Sequence, residues 1–406
     1  MNQVITESNE TLKSYLFHII LISSIISGGF TGYYFEDITY WLKPIGDIFL
    51  NLLLMIIVPL IFFSISSAVA STNSFGKLGQ IFSSMFLVFI VTSFIAAMYA
   101  MGVILIFYSP GDMTIALTDS LPRPELNVAK QFINIFSVSE FYQLFSTRHI
   151  LPLIIFSMFI GMGVIKAKER GNDFALFLKS GEEVCMQVFN FIMYLAPIGF
   201  FAYFSSIVHE LGPKIVQNYL QISVLYYISV LLYFIVGLSL FAYLAGKQKG
   251  VYLFWRYIQL PMFTSIATCS SAASIPANLS ASKMIGVKPE VYETTIPLGA
   301  LIHKDGSVMG GIFKIAFIFA LFHVPFSGIH VLILALGVSM LVGTVMGGIP
   351  GGGMLGELLI LSIYGFPPSA LMVIAAISII IDPIATMLNV TCNTVSTMLI
   401  DKLVRN

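Results

Sequence analysis

Hydrophobic runs of about 20 residues, enough for a helix to cross a bilayer, recur along this chain, and beyond Arg256 the pattern changes. The first half predicts spans near Tyr15–Tyr34, Ile45–Ala70, Phe82–Tyr108, Leu151–Ile165, Val188–Ile207 and Ile222–Ala245. Between the third and fourth, Ser109–Arg148 reads as a long mixed connection: Pro110-Gly111-Asp112 stops the helix and Pro122 and Pro124 interrupt the loop. Past Arg256 the apolar segments are short and broken. Leu260–Ala267 and Ile275–Ile285 flank the serine-rich Thr268–Pro276, and Val331–Met346 and Met354–Ile363 flank Gly347-Gly348-Ile349-Pro350-Gly351-Gly352-Gly353. His303-Lys304-Asp305-Gly306-Ser307 interrupts a third apolar run from Val291 to Leu321, and Asp382 and Asn389 lie in a fourth.

Backbone that stops being helical at membrane depth leaves N–H and C=O groups that lipid cannot satisfy, so such breaks persist where they line an enclosed cavity. Each short pair reads as a re-entrant hairpin, the two entered from opposite sides and each followed by a longer helix. That is the pattern of inverted halves around a secondary transporter's binding site. The predicted fold is an all-α polytopic membrane protein with eight transmembrane helices and two re-entrant helical hairpins. Residues 1–250 carry six spans. Residues 251–406 carry hairpin 1 (about 252–286), span 7 (about 291–321), hairpin 2 (about 330–364) and span 8 (about 368–401).

Composition agrees. The 406 residues are 57% hydrophobic and 10% charged, against about 25% charged in soluble domains. The formal net charge is zero, so nothing points to nucleic acid, and three cysteines without metal-ligand spacing argue against a disulfide framework or a zinc site. No HExxH or GxSxG motif suggests an enzyme. Lys77, Lys166, Lys168, Arg170, Lys179, Lys247, Lys249 and Arg256 outnumber Lys43, Arg123, Lys130, Arg148 and Lys214 in the alternate loops, which puts the first set and both termini in the cytoplasm. The polar start up to Ser14 reads as a tail and not as a removable signal.

These breaks resemble those of the dicarboxylate/amino acid:cation symporters, which include glutamate and neutral amino acid transporters. The serine-rich tip, Asp305-Gly306, the Gly-Ile-Pro-Gly tip and Asn389-Val390-Thr391 occur in the family's order. Ile45–Phe49, Pro59–Ser64 and Ala196–Gly199 are similar to its second and fifth helices. The resemblance implies a homotrimer in a bacterial inner membrane, surrounded by lipid. It also implies a scaffold of spans one, two, four and five, and an elevator-like transport unit made of spans three, six, seven and eight with both hairpins.

By the same resemblance, substrate is held by Ser270, Ser271, Ala272, Ser307, Ile349, Pro350, Gly351, Asp382, Ala385, Thr386 and Asn389, with Asp382 receiving an amino group. Ala385 and Cys269 stand where acidic amino acid carriers place an arginine. Without that bidentate clamp the expected substrate is a neutral amino acid, with room for its side chain at Ala385. The alternative is glutamate or aspartate, with Lys304 binding the carboxylate, or an uncoupled channel or sensor of the same fold. Thr92, Ser93, Gly299, Asp305, Asn389 and Asn393 fall on sodium-site positions in a vestigial form, because His303, Lys304 and Asn393 replace the family's Asn, Met and Asp. No cofactor is expected beyond Na+ or H+ as coupling ion. Lys304 reads either as a built-in cation, in proton-coupled or uncoupled transport with His303 and Asp382, or as a structural partner of Asp305 or Asp382. Lys314 and Glu357 read as a mutual pair or as charges snorkelling to an interface, and Pro383 as a kink beside Asp382.

Overall fold

The structure, a computed structural model, describes residues 2–70, 79–108, 137–146, 149–211, 214–345 and 352–405. It is all-helical over these residues. The helices are α1 (Asn2–Tyr34), α2 (Glu36–Ala70), α3 (Gly79–Phe107), α4 (Ile150–Ala167), α5 (Asn172–Tyr194), α6 (Ala196–Leu211), α7 (Lys214–Leu232) and α8 (Leu238–Tyr257). They continue as α9 (Gln259–Thr268), α10 (Ile275–Ile285), α11 (Pro289–Ile302), α12 (Asp305–Leu321), α13 (Ile329–Val345), α14 (Gly352–Tyr364) and α15 (Leu371–Arg405). Five helical stretches among the described residues are long and apolar enough to cross a membrane: Asp37–Ser67, Gln80–Phe107, Ile150–Tyr194, Ile215–Tyr257 and Pro368–Val404.

The first two helices begin earlier than predicted, at Asn2 and Glu36, and two later spans are bent where the prediction had them continuous. The fifth, Val188–Ile207, falls across a bend at Leu195 between α5 and α6, and its helix begins earlier, at Asn172. Its first turns, Asn172–Gly181, set the short apolar run Phe174–Leu178 between polar and charged residues, too short to read as a span. The sixth runs through a π-helical turn, Tyr233–Gly237, and kinks at Gly246 and Lys247, where φ is −143° and 52°. Most of the connection Ser109–Arg148 lies outside the described residues. Its described part holds a 3₁₀ turn, Phe141–Phe145.

Local chemistry places the breaks. Helix α10 ends on Gly286 at φ 92°, where Gly286 N–H donates to Lys283 O and Val287 N–H to Ser282 O, a paired closure that glycine's freedom at positive φ permits. Pro289 then opens α11 in the first turn, where its missing N–H costs nothing. Helix α9 ends on Cys269 at φ 49°, a conformation that a non-glycine residue rarely adopts.

The packing falls into two groups. In one, α2 lies against α4, α5 and α6, and α1 against α6. In the other, α12 lies against α3, α13 and α15, and α15 also meets α7, α8, α9 and α11. Helix α12 is buried from Asp305 to Leu321 except at Ala320, so protein encloses it on every side, its charged Asp305 and Lys314 included. The α1–α6 contact depends on small residues one turn apart. A Cβ on Gly28 or Gly32 would run into the carbonyl of Phe201 or Ser205. Gly28→Ala is therefore expected to destabilise by about 1–3 kcal/mol, read as a lower melting temperature. An unchanged melting temperature would mean that α1 is free to shift.

Candidate functional site

The site forms where α9, α10, α11, α12 and α15 interrupt or meet one another. Between α11 and α12 the chain is extended for two residues, His303 (φ −126°, ψ 105°) and Lys304 (φ −140°, ψ 74°). An extended backbone turns successive side chains to opposite sides, and these two go separate ways. Lys304 is half-buried and lies in the electrostatic field of Asp382, itself half-buried on α15. His303 is buried on the α3 side, 3.1 Å from Asp305 through Nε2. The oxygens of Asp305 are occupied otherwise than by lysine: Ser93 Oγ donates at 2.7 Å and Cys392 Sγ at 2.8 Å. Of the two partners open to Lys304 from the sequence, Asp382 is the one whose charge acts on it. His303 has its own partners, Thr92, Asp305 and Asn393.

Around Asp382 the polar residues support one another. Thr386 Oγ1 donates to Asp382 Oδ1 at 3.2 Å, one helical turn along α15. Asn389, one turn further, accepts from Ser307 N–H at 3.1 Å and donates to Ser307 Oγ at 3.2 Å. Asn389 and Ser307 thus tie α15 to the first turn of α12, and both are buried. Ala385 is buried too. A Cβ on Gly306 would run into the backbone carbonyl of Ala385, so α12 and α15 approach one another closely there.

The first tip is short. Thr268 Oγ1 accepts from Ser270 N–H at 3.2 Å, Ser270 Oγ accepts from Ala273 N–H at 3.2 Å, and Ser274 Oγ donates to Ser270 O at 2.9 Å. Ser271 is buried and Ala272 exposed. Asn278 on α10 fixes this arm to α15, donating to Val390 O at 3.0 Å and accepting from Thr394. The second tip, with Ile349, Pro350 and Gly351, lies outside the described residues.

Two tyrosines that hydropathy alone does not single out complete the wall. Tyr226 donates to Gly306 O and Tyr227 to Ile380 O, each at 2.8 Å. Pro383 leaves Ile379 O without its helical donor, and Tyr227 bonds the neighbouring carbonyl in that same turn. The sequence signal for this pair was the placement of two polar rings inside an apolar span.

A second charged cluster lies deeper. Lys314 of α12 is 3.5 Å from Glu357 of α14 and donates to Ser378 Oγ of α15 at 2.9 Å, while Ser378 donates to Glu357. Both charges are buried, which decides for mutual pairing over snorkelling.

The sequence profile of the sodium:dicarboxylate symporter family matches residues 16–403. The chain is 27% identical over 400 residues to the proton/sodium-glutamate symport protein of Bacillus caldotenax, covering 94% of this chain and 91% of that one. It is 25% identical over 373 residues to the protein of the same description from Bacillus subtilis (strain 168), covering 89% and 86%. Against the C4-dicarboxylate transport protein of Rhizobium leguminosarum the identity is 25% over 408 residues, 97% and 90% of the two chains.

Proposed function

Because this chain belongs to the sodium:dicarboxylate symporter family, an integral membrane family whose relatives here are transporters and not enzymes, we propose that it is a secondary carrier for an acidic amino acid. The observation that carries this reading is the half-buried Lys304 facing the field of Asp382. An ammonium with three donors beside a carboxylate matches the two charged groups of an amino acid: Asp382 takes the substrate ammonium and Lys304 a substrate carboxylate. The second carboxylate falls to backbone N–H groups at the α12 N-terminus and at the hairpin tips, where helix dipoles favour anions. The glutamate relatives support this acidic substrate over the neutral one that Ala385 and Cys269 suggested.

In this reading α9–α10 and α13–α14 are re-entrant hairpins, and the 1–250 and 251–406 division holds as six spans and a transport core. The α12/α15 group moves as the elevator against the α2 group within a homotrimer in the inner membrane, termini cytoplasmic. Ser270, Ser271 and Ala272 form one lid and Ile349, Pro350 and Gly351 the other.

A second reading is an amine-free C4-dicarboxylate, favoured by the same pair if Lys304 already neutralises Asp382. Uptake of labelled glutamate, aspartate, succinate, serine and alanine into proteoliposomes, under imposed sodium or proton gradients, tests both. Saturable glutamate or aspartate uptake is the expected result. Succinate uptake alone would establish the second reading, and uptake of serine or alanine with no acidic substrate would overturn both.

A further inference from the structure

Four oxygen-bearing side chains suited to a small hard cation converge beside the α11–α12 break: the hydroxyls of Thr92 and Ser93, the carboxylate of Asp305 and the amide of Asn393. Three of them meet a ring, and Ser93 holds Asp305, donating to Oδ1 at 2.7 Å. His303 Nδ1 lies 2.7 Å from Asn393 Oδ1, and Nε2 lies 2.8 Å from Thr92 Oγ1 and 3.1 Å from Asp305 Oδ1. The Thr92 hydroxyl directs its own hydrogen to Val88 O, 3.0 Å away in the preceding turn. Its oxygen is therefore left to accept, and Nε2–H is the donor to it and to Asp305. At the other nitrogen the contact with Asn393 is made either by Nδ1–H to the amide oxygen or, with the amide turned, by its NH₂ to Nδ1.

The walls fit the ring closely. Phe89, three residues before Thr92 and so on the same face of α3, stacks on the imidazole at 4.1 Å between centroids and 4° between planes. Gly299 packs against both Asn393 and Phe89: a Cβ there would come within 2.6 Å of Asn393 Oδ1 and 3.2 Å of Phe89 Cζ. His303 is 1% exposed and Asp305 not at all. A sodium ion at this point would have to stand where the ring stands, against nitrogen and aromatic carbon in place of hard oxygen ligands.

We propose that His303 is a built-in occupant of this cage, making to Asp305, Thr92 and Asn393 the contacts that a bound cation would make, so that the chain binds no sodium there. The residues that the family reading assigns to sodium are thus retained as a hydrogen-bonded socket for an imidazole. This inference rests on that reading only for the choice of sodium as the ion. Its readout is ion binding, which does not depend on the substrate carried.

The test uses full-length protein in detergent, with bound ²²Na and the melting temperature in sodium chloride against choline chloride. Wild type and Asp305→Asn are expected to bind sodium alike, at other sites or not at all. His303→Asn, which exchanges the ring for a smaller amide, is expected to gain saturable sodium binding and a sodium-dependent rise in melting temperature. Adding Asp305→Asn should abolish both gains. His303→Ser, which empties the cage and leaves a hydroxyl, provides a second variant if the first does not fold. Sodium binding by the wild type that Thr92→Val or Asp305→Asn removes would overturn the proposal. So would folded His303→Asn and His303→Ser that both gain none. If neither variant folds, the wild-type comparison with Thr92→Val and Asp305→Asn decides alone.

Discussion

Replacing Lys304 with glutamine is expected to lower acidic substrate uptake by more than about thirtyfold, because removing one member of a charge pair that the bound substrate desolvates typically costs about 2–5 kcal/mol of binding. The lysine stands in the extended break between α11 and α12, half-buried and in the field of Asp382. Glutamine keeps much of the length and can donate hydrogen bonds, so the loss isolates the charge. The fall should appear in KM for glutamate or aspartate, while the melting temperature without substrate changes little, since Asp382 is itself half-buried and retains Thr386 as a donor. Transport assays on the two proteins decide it. Acidic uptake equal to wild type would remove Lys304 from the site and with it the reason to prefer an acidic substrate.

The largest stability effect should come from the deeper pair. Lys314→Met removes the ammonium from beside Glu357, which is fully buried and whose Oε2 has no hydrogen-bond partner among the described residues. Breaking a buried pair by removing one partner costs roughly 3–5 kcal/mol, because the remaining charge is left uncompensated. Replacing both with apolar groups of similar volume is often neutral or stabilising. The single variant should therefore melt well below wild type, and Lys314→Met with Glu357→Leu should recover most of the difference. A single variant that melts like wild type would mean that Glu357 is already neutral in the folded protein. A double variant as unstable as the single would mean that Ser378, left without either partner, matters more than the charges do.

Much of the architecture follows from one-dimensional rules. The broken segments beyond Arg256 were legible because lipid forbids unsatisfied backbone, so every polar interruption of an apolar run carries structural meaning. The helix pair Gln259–Thr268 and Ile275–Ile285 and the stop at Ile302 appear where that argument put them. The start of α5 at Asn172 was not legible, because its apolar run Phe174–Leu178 is too short to read as a span and is followed by charged residues. Phe89 and Cys392 were missed as site residues for a related reason: an aromatic or a thiol in an apolar span looks like ordinary packing. Only spacing from Thr92 and from Asn389, three residues in each case, marks their faces.

By itself, then, the sequence determined that this is a polytopic helical membrane protein of a recognisable transporter family, and it determined which residues are polar in the wrong solvent. It could not say which of them meet. Adjacent residues in an extended stretch point apart, so His303 and Lys304, neighbours in the chain, belong to different clusters. One is stacked under Phe89 with Asp305 and Asn393, and the other faces Asp382. Pairing of buried charges is a matter of distances between helices, and those distances are set by how α3, α11, α12 and α15 pack.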